Sequence, residues 1–368
     1  MRVLLLTTHM NIGGIGIYLS NLAKGLKKKK VDVFVASSGG GLVKEVVQNS
    51  IPHLFLNIRT KSELSPKVPL AIGLLNRFIK REGIDIIHAQ TRVTQVVGYW
   101  SAILRTIPYI STCHGFFRPH LTRRKFGCWG NKVIAISEAV KGHLIDDMGV
   151  ANNRIALIHN GIEVERFARP ISDENKKYLK ERFGLGRGPI IGSLGRLSPV
   201  KGFDLLVKAM KDIIKVMPDA QLLLVGDGPE GEKLRSLSKE LGVEESIVFV
   251  PSVENGAELL SIMDVAVFPS IQEGLGLSLI EAMAVGRPVI ASDVGGISTL
   301  VKDSETGLLF PKGDVASMAG KIIRLLTEDG LRDRIRKNGQ EKVRRDFTSD
   351  QMCEKVINVY KESLGGSR

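Results

Sequence analysis

The sequence is short of cysteine, of aromatic residues and of long apolar runs. Its three cysteines, Cys113, Cys128 and Cys353, are odd in number and lack metal-ligand spacing, which favours a reducing compartment over a disulfide-linked secreted protein. No apolar run reaches the roughly 18–20 residues that a membrane-spanning helix requires. The opening MRVLLLTTHM is typical of a first strand rather than of a secretory signal. We therefore expect a cytoplasmic protein, with at most a peripheral contact at the inner face of the cytoplasmic membrane.

The scarcity of aromatic residues, 5% against a hydrophobic fraction of 43%, is typical of aliphatic strands buried between helices. Short apolar segments alternate with helical patterns, which predicts parallel, doubly wound sheets. A polar stretch from Glu163 to Gly188 separates two such series. We predict an α/β protein with two Rossmann-like domains, residues 1–165 and 166–349. Ligands of such sheets bind beyond the carboxyl ends of the strands, so the two domains are expected to face each other across a cleft.

The predicted strands of the first series are Val3–Leu6, Val31–Ala36, Ile84–His88, Tyr109–Thr112, Lys132–Ile136 and Ile155–Ile158. Those of the second series are Ile190–Leu194, Gln221–Val225, Ile247–Val250, Val265–Pro269, Val289–Ala291 and Gly307–Phe310. The clearest helical patterns between them are Ile17–Leu26, Leu205–Lys215 and Asp314–Leu326.

The excess of positive charge is confined to the first half of the chain. Residues 1–168 contain 23 Lys and Arg against 10 Asp and Glu, whereas residues 169–368 contain 29 of each kind. The aromatic and basic segment from Gly115 to Phe126, with Arg123, Arg124 and Lys125, suits an anionic acceptor or an anionic membrane surface. A solvated basic face without a partner stays open as the alternative. No nucleic-acid partner is expected, because stacked-aromatic and finger motifs are absent from the sequence.

The most informative segment is EGLGLSLIE, residues 273–281, which follows an apolar run. Its composition predicts a strand, a loop and then a helix that ends at Gly286. Loop amides and a helix N-terminus favour an anionic ligand there. Glu273 in the loop can meet sugar hydroxyls, and Glu281, two turns into the helix, can reach a second group such as a ribose. The predicted ligand-binding loop consists of Glu273, Gly274, Leu275 and Gly276.

Two candidate positions follow strands in the first half. Gly14 and Gly16 lie in a glycine-rich loop after the first strand, where backbone amides can approach a donor phosphate or an acceptor. The same glycines also suit an ordinary turn. His114 lies at the carboxyl end of Tyr109–Thr112, where a neutral imidazole can hydrogen-bond a sugar hydroxyl. A purely structural histidine is the alternative.

These segments resemble the motifs of retaining glycosyltransferases of family 4, and they occur in that family's order along nearly the whole chain. Alongside the E-x7-E pair, the motifs are LLLTTHMNIGGIG, His114-Gly115, Asn160-Gly161-Ile162, GRLSPVKG (195–202), LLLVGDGP (222–229) and VIASDVGG (289–296). The resemblance implies the GT-B fold, with an acceptor domain first and a nucleotide-sugar donor domain second. It also implies a last helix, residues 350–368, that crosses back to the first domain.

The resemblance assigns roles to the candidate residues. Arg196 and Lys201 match the family's diphosphate ligands, one a bidentate fork and the other a point charge. His114 matches the histidine beside the transferred sugar, and Val250 ends the strand where the donor base meets main-chain atoms. The expected catalytic residues are His114, Glu273, Arg196 and Lys201. Because the sequence has no Asp-x-Asp, we expect neither a metal ion nor a cofactor besides the nucleotide sugar.

The resemblance therefore implies a retaining, metal-independent transferase that moves a sugar from a UDP- or GDP-sugar to a hydroxyl of a lipid-linked or lipopolysaccharide-type glycan. A nucleotide-sugar 2-epimerase of the same fold is the alternative, since such enzymes also have two Rossmann-like domains. GRLSPVKG together with EGLGLSLIE favours transfer.

Overall fold

A computed structural model of the protein describes residues 1–60, 62–119, 123–124, 126–253 and 255–365. The chain divides into two compact units. The N-terminal unit contains Met1–Gly161 together with the segment from Ser349 onward, and the C-terminal unit contains Ile162–Thr348. The sequence placed the corresponding boundaries after residues 165 and 349. Among the described residues, no helix combines the length and the apolar character needed to span a bilayer.

The N-terminal unit contains a seven-stranded parallel sheet with the order β3-β2-β1-β4-β5-β6-β7. Its interior strand β1 has the buried sequence VLLL, and Leu4 pairs in register with Phe34 on one side and Ile87 on the other. Aliphatic side chains on both faces of a strand require helices on both faces, as in other doubly wound sheets. The strands are β1 (Arg2–Leu6), β2 (Asp32–Ser37), β3 (His53–Phe55), β4 (Ile86–Ala89), β5 (Tyr109–Cys113), β6 (Lys132–Ala135) and β7 (Ile155–Leu157).

The helices of this unit follow the strands in the order expected for Rossmann-like connections. Helix α4 begins at a capping box formed by Thr91 and Thr94, and α3 ends at Gly83 in the left-handed conformation. Leu75 of α3 and Val97 of α4 pack into one core with Leu4 and Ile87 of the sheet. The helices are α1 (Gly14–Lys28), α2 (Val43–Gln48), α3 (Lys67–Glu82), α4 (Arg92–Arg105) and α5 (Glu138–Asp146), with a 3₁₀ turn at Asn152–Arg154.

The C-terminal unit contains a six-stranded parallel sheet with the order β10-β9-β8-β11-β12-β13. Its core joins strand residues such as Leu222, Val267 and Ile290 to the apolar faces of the covering helices. The strands are β8 (Ile190–Leu194), β9 (Gln221–Val225), β10 (Ile247–Val250), β11 (Val265–Phe268), β12 (Val289–Ser292) and β13 (Leu308–Phe310).

The helices of the C-terminal unit are α6 (Val164–Ala168), α7 (Asp173–Arg182), α8 (Phe203–Val216), α9 (Gly231–Glu240), α10 (Gly256–Ser261), α11 (Leu277–Val285), α12 (Ile297–Leu300), α13 (Val315–Thr327) and α14 (Asp329–Asp346). Two 3₁₀ turns, Pro199–Lys201 and Glu244–Ser246, complete it.

The last helix, α15 (Ser349–Gly365), packs within the N-terminal unit. Its Cys353 side chain fills the space above Gly25 of α1, and its Tyr360 hydroxyl bonds the ring of His88 on β4 at 2.8 Å. The sequence predicted a helix over 350–368 that returns to the first domain. The last three of those residues lie outside the described part of the chain.

Two features of the fold differ from the sequence prediction. Strand β3 was missed, because it is a three-residue edge strand without apolar alternation. The polar stretch 163–188, in which no helix was predicted, contains α6 and α7. Helix α7 is strongly charged and buries only Leu179, so its helical period is hidden in the sequence; its start is set by Ser172, whose hydroxyl accepts from the Asn175 amide.

Candidate active site

The candidate donor site of the C-terminal unit lies where the strand order reverses, between β8 and β11. Ligands of open α/β sheets bind at such switch points. The loops that follow these two strands are joined, because the amide of Ile271 donates to the carbonyl of Val200 at 2.8 Å. Gly202, with φ +65°, lies against the carbonyl of Pro269, and an added Cβ would come within 2.1 Å of that oxygen. The two predicted ligand-binding loops therefore form one surface.

Lys201 and Glu273 meet on this surface. The Lys201 Nζ lies 2.5 Å from the Glu273 Oε2, and the Ser270 hydroxyl donates to the same oxygen at 3.3 Å. Both side chains are mostly buried, with 26% and 16% of their surface exposed. Such a partly buried ion pair holds an ammonium in a defined place, where an anionic ligand can share it. The structure thus brings together two of the four predicted catalytic residues.

Arg196 lies in the same loop as Lys201 but in a different environment. Its side chain is exposed, and within the described part of the chain no hydrogen bond or ion pair reaches its guanidinium. The loop itself is anchored, because the Leu197 amide donates to the Asp227 carbonyl at 2.9 Å. Arg196 is therefore an exposed cation on an anchored loop, whereas Lys201 is held in place by its ion pair with Glu273.

Helix α11 presents its N-terminus at the same surface. Gly276 precedes it with φ +105°, and no side chain caps its first turn. The adjoining loop is fixed from behind, because Leu275 is buried and the Gly296 amide donates to the Glu273 carbonyl at 3.0 Å. An uncapped helix N-terminus offers free amides and a partial positive charge to a phosphate. The predicted end of this helix at Gly286 is confirmed, with φ +80° there.

Among the described carboxyl groups of the C-terminal unit, Glu281 has the pKa that departs most from its ordinary value. Only 6% of the residue is exposed, and burial raises the pKa of its carboxyl from 4.5 to about 7, although the charge of Arg166 acts in the opposite direction. Among the described residues, no group donates a hydrogen bond to this carboxylate. A buried acceptor without a donor is suited to ligand hydroxyls.

Val250 is the last residue of β10 and lies beside the turn that follows β9. Its side chain is buried, and its carbonyl accepts from the Gly226 amide at 2.8 Å. Next to it, Asp227 and Ser252 exchange two hydrogen bonds of 3.0 Å, which pins the ends of the two strands together. The predicted contact between Val250 and the donor base stays a prediction.

In the N-terminal unit, α1 begins at the predicted glycine loop. Gly14 is exposed, with no atom within 4 Å of where a side chain would start, and no side chain caps the helix. Gly16 is buried, and a Cβ there would meet the Asn11 carbonyl at 2.3 Å. Gly14 thus lies where a ligand can approach, whereas Gly16 is required by packing. The predicted donor-binding role of each stays a prediction.

His114 follows β5, as predicted, and is partly buried. Its Nε2 lies 3.0 Å from the Oε1 of Gln90, and its ring meets Tyr18 edge-on at a centroid distance of 4.7 Å. In this amide orientation the oxygen of Gln90 accepts, so Nε2 carries the proton and Nδ1 is left as an acceptor. Burial lowers the pKa of His114 to about 3, which keeps the imidazole neutral.

Sequence reasoning missed Gln90 and Ser270, which contact predicted site residues. Both lie just after strands: Gln90 follows β4, and Ser270 follows β11. A polar residue directly after a strand is a sequence signal that could have identified both, although neither residue lies in one of the motifs named above. His88, in contrast, is fully buried with both ring nitrogens bonded, to Tyr360 and Thr112, which is typical of a structural histidine.

The basic segment 115–126 is partly described. His120, Leu121, Thr122 and Lys125 lie outside the described residues. Arg123 lies over the Phe117 ring at 4.6 Å and 3.9 Å from Glu63, so its charge is already engaged. Arg124 is exposed. Of the two cations that the structure describes here, Arg123 is therefore engaged and Arg124 is available.

Comparison with known proteins identifies two matching family models. Residues 12–166 match the model described as "Glycosyltransferase Family 4", and residues 175–342 match that described as "Glycosyl transferases group 1". Together these ranges include most of each unit.

Individual relatives match over nearly their whole length. The chain is 27% identical to the N-acetyl-alpha-D-glucosaminyl L-malate synthase of Bacillus anthracis, with 98% of this chain and 96% of that protein covered. It is 26% identical to the UDP-Gal:alpha-D-GlcNAc-diphosphoundecaprenol alpha-1,3-galactosyltransferase of Escherichia coli, with coverages of 96% and 98%. The fold matches that of Anabaena Alr3699/HepE, solved with UDP-glucose, at a TM-score of 0.87 and 23% identity, with coverages of 98% and 100%.

Proposed function

The chain belongs to the nucleotide-sugar glycosyltransferases of family 4 with the GT-B fold, and from this premise we propose that it is a retaining, metal-independent enzyme. In this proposal a sugar moves from a UDP- or GDP-sugar to a hydroxyl of a lipid-linked or lipopolysaccharide-type glycan. The observation that carries the proposal is the joined pair of loops after β8 and β11. These loops place the Lys201–Glu273 pair, Arg196 and the N-terminus of α11 on one surface.

The proposed roles follow from charge. As the bond between the anomeric carbon and the diphosphate breaks, negative charge grows on the leaving oxygen. Lys201 and Arg196 bind the diphosphate, and the uncapped amides of α11 add partial positive charge. Glu273 holds Lys201 and orients the transferred sugar, and Glu281 accepts from the ribose hydroxyls. His114 accepts from a sugar hydroxyl at its unprotonated nitrogen.

Retention follows if the acceptor hydroxyl attacks from the side that the diphosphate leaves. The hydroxyl oxygen bonds to the anomeric carbon, the bond to the diphosphate breaks, and the proton passes to the departing phosphate oxygen. No protein nucleophile is then required. Glu273 supports this scheme through its ion pair with Lys201, since a carboxylate neutralised in this way is a poor nucleophile.

The donor is identified by thermal unfolding with UDP-, GDP- and ADP-sugars, because a ligand that binds only the native state raises its stability. The selected donor is then incubated with and without undecaprenyl-diphosphate sugars or lipopolysaccharide cores. Transfer with retained anomeric configuration supports the proposal, and transfer with inversion contradicts it. Conversion of donor alone to a 2-epimer, with no acceptor product, identifies the epimerase instead.

Removal of divalent metal ions is expected to leave activity unchanged. Lys201, Arg196 and the α11 N-terminus supply the charge that a metal ion provides in other enzymes. Initial rates are compared before and after dialysis against EDTA, with added calcium-EDTA as the control for chelator effects. Loss of activity that magnesium or manganese restores would refute the metal-independent mechanism.

A further inference from the structure

A pocket of about 660 Å³ opens in the N-terminal unit between α3, α4 and the segment 126–130. Its walls are mainly apolar and include Val68, Ile72, Val96, Trp129 and Met148. Its volume lies within the range of sites that bind small molecules, about 300–1,000 Å³. None of the candidate donor or sugar-binding residues lines it. The pocket is therefore a feature that the proposed transfer chemistry leaves unexplained.

Three arginines and one glutamate line the same pocket. Arg92 is neutralised, because its guanidinium makes two bonds of 2.7 Å to the carboxylate of Glu63. Arg154 donates to the neutral carbonyl of Gly130. Among the described residues, Arg124 has neither a hydrogen bond nor an ion pair. Two positive charges thus remain uncompensated beside an apolar cavity, which suits a ligand with a phosphate at one end.

The mouth of the pocket is surrounded by exposed apolar side chains. Leu64, Trp100 and Phe126 line the pocket and are 95%, 50% and 72% exposed. One turn further along α4 from Trp100, Ile103 and Leu104 are also more than half exposed. Exposed apolar side chains grouped in this way are typical of contact with an apolar phase or partner. We call Leu64, Trp100, Ile103, Leu104 and Phe126 the apolar collar.

We propose that this pocket binds one hydrocarbon chain of an anionic membrane phospholipid, with the lipid phosphate at Arg124 and Arg154 and the apolar collar in the bilayer interface. The apolar walls fit the chain, the uncompensated arginines fit the phosphate, and the collar fits the phase from which the lipid enters. A tryptophan at the rim, here Trp100, is typical of membrane interfaces. The excess of positive charge in residues 1–168 favours an anionic membrane over a neutral one. This inference does not depend on which sugar is transferred.

The two tryptophans of the chain allow a direct test, since Trp100 and Trp129 both line the pocket. Trp100 is half exposed at the rim, whereas Trp129 is 6% exposed. Indole fluorescence is measured with vesicles whose acyl chains carry bromine, which quenches on contact. The vesicles contain phosphatidylglycerol with phosphatidylcholine, or phosphatidylcholine alone, and inorganic phosphate serves as the soluble control. Trp129→Phe retains Trp100 as its single tryptophan, and Trp100→Phe retains Trp129. We expect the anionic vesicles, and not the neutral ones, to quench the fluorescence of both variants.

Reversing the charge of Arg124 tests its proposed contact with the lipid phosphate. Arg124→Glu is expected to weaken binding to anionic vesicles by about tenfold or more, since each cation near such a surface contributes about 1 kcal/mol. Lys27→Glu is the matched control, because Lys27 is an exposed cation of the same unit at the end of α1; its effect should stay within about twofold. Circular dichroism and thermal unfolding confirm that each variant is folded.

Three results would overturn the proposal. Quenching of Trp100 without quenching of Trp129 would mean that the collar touches the membrane while the pocket stays empty. Equal losses in Arg124→Glu and Lys27→Glu would mean a diffuse basic surface. No quenching by anionic vesicles would mean that the collar and pocket serve a protein partner or none.

Discussion

Replacement of Lys201 by alanine is expected to lower the turnover number by about 100-fold or more, the usual cost of removing one group that stabilises charge in the transition state. Two effects act together. The diphosphate loses a positioned cation, and Glu273, which lies 2.5 Å from the Lys201 ammonium, becomes an unpaired carboxylate facing the same anion. Steady-state kinetics with the identified donor measure the loss. Thermal unfolding checks that the fold is retained.

Arg196→Ala provides the comparison. Arg196 is exposed and has no partner among the described residues, so its removal takes away one cation without leaving a carboxylate unpaired. We expect it to lower turnover by at least about tenfold, but by less than Lys201→Ala. Lys208→Ala is the control, since Lys208 pairs with Asp204 on the exposed face of α8, and its effect should stay within about twofold. Normal kinetics in Lys201→Ala would remove this residue from the mechanism.

The ion pair between Lys201 and Glu273, on which the Lys201→Ala prediction depends, could not be predicted from the sequence. GRLSPVKG and EGLGLSLIE were each predictable as loops after strands, because glycine and proline mark where a helix begins or ends. Lys201 and Glu273 are 72 positions apart, however, and their pairing depends on β8 lying next to β11. Alternation of strands and helices predicts parallel sheets but leaves the strand order open.

The depth at which individual side chains are buried also could not be predicted from the periodicity of the sequence. Glu281 is in a helix whose residues are almost all apolar, so no polar face predicts how deep its carboxylate lies. Its place two turns into the helix suggested a contact with a ribose but not that the carboxylate is buried. In the same way, nothing in the pattern of α3 and α4 indicates that Leu70, Leu74, Ile103 and Leu104 are exposed, since leucine and isoleucine are usual core residues.

Glu281→Gln is expected to weaken nucleotide binding by about 10- to 100-fold, the loss typical of a hydrogen bond to a charged group, about 1.5–3 kcal/mol. Glu273→Gln should instead lower turnover more than nucleotide affinity, because its charge holds Lys201 and the sugar. Isothermal titration calorimetry with the nucleoside diphosphate separates the two. Glu240→Gln, at the exposed end of α9, is the control and should bind normally. The reverse pattern would mean that the two glutamates have exchanged roles.

The raised pKa of Glu281 also predicts that the stability of the folded protein depends on pH. Because its pKa is about 7 in the folded protein against 4.5 for the free group, the folded state holds the proton more tightly. The resulting stabilisation is complete below pH 4.5 and is lost as the pH rises through about 7; a rise of this size corresponds to about 3 kcal/mol. Wild type should therefore lose stability between pH 5 and pH 8 relative to Glu281→Gln, which lacks the titrating group.

Nucleotide affinity should change in the opposite direction. Ribose hydroxyls donate more strongly to the ionised carboxylate, so nucleotide binding favours the deprotonated form and should tighten in wild type as the pH rises from 6 to 8. With the nucleotide sugar as ligand, whose diphosphate has no group that titrates near neutral pH, Glu281→Gln should show no such tightening, and calorimetry in buffers of different ionisation enthalpy should detect proton release on binding in wild type alone. If Glu281→Gln raises the stability at pH 8 but leaves nucleotide affinity and its pH dependence unchanged, the carboxylate is buried for structural reasons and the ribose is bound elsewhere.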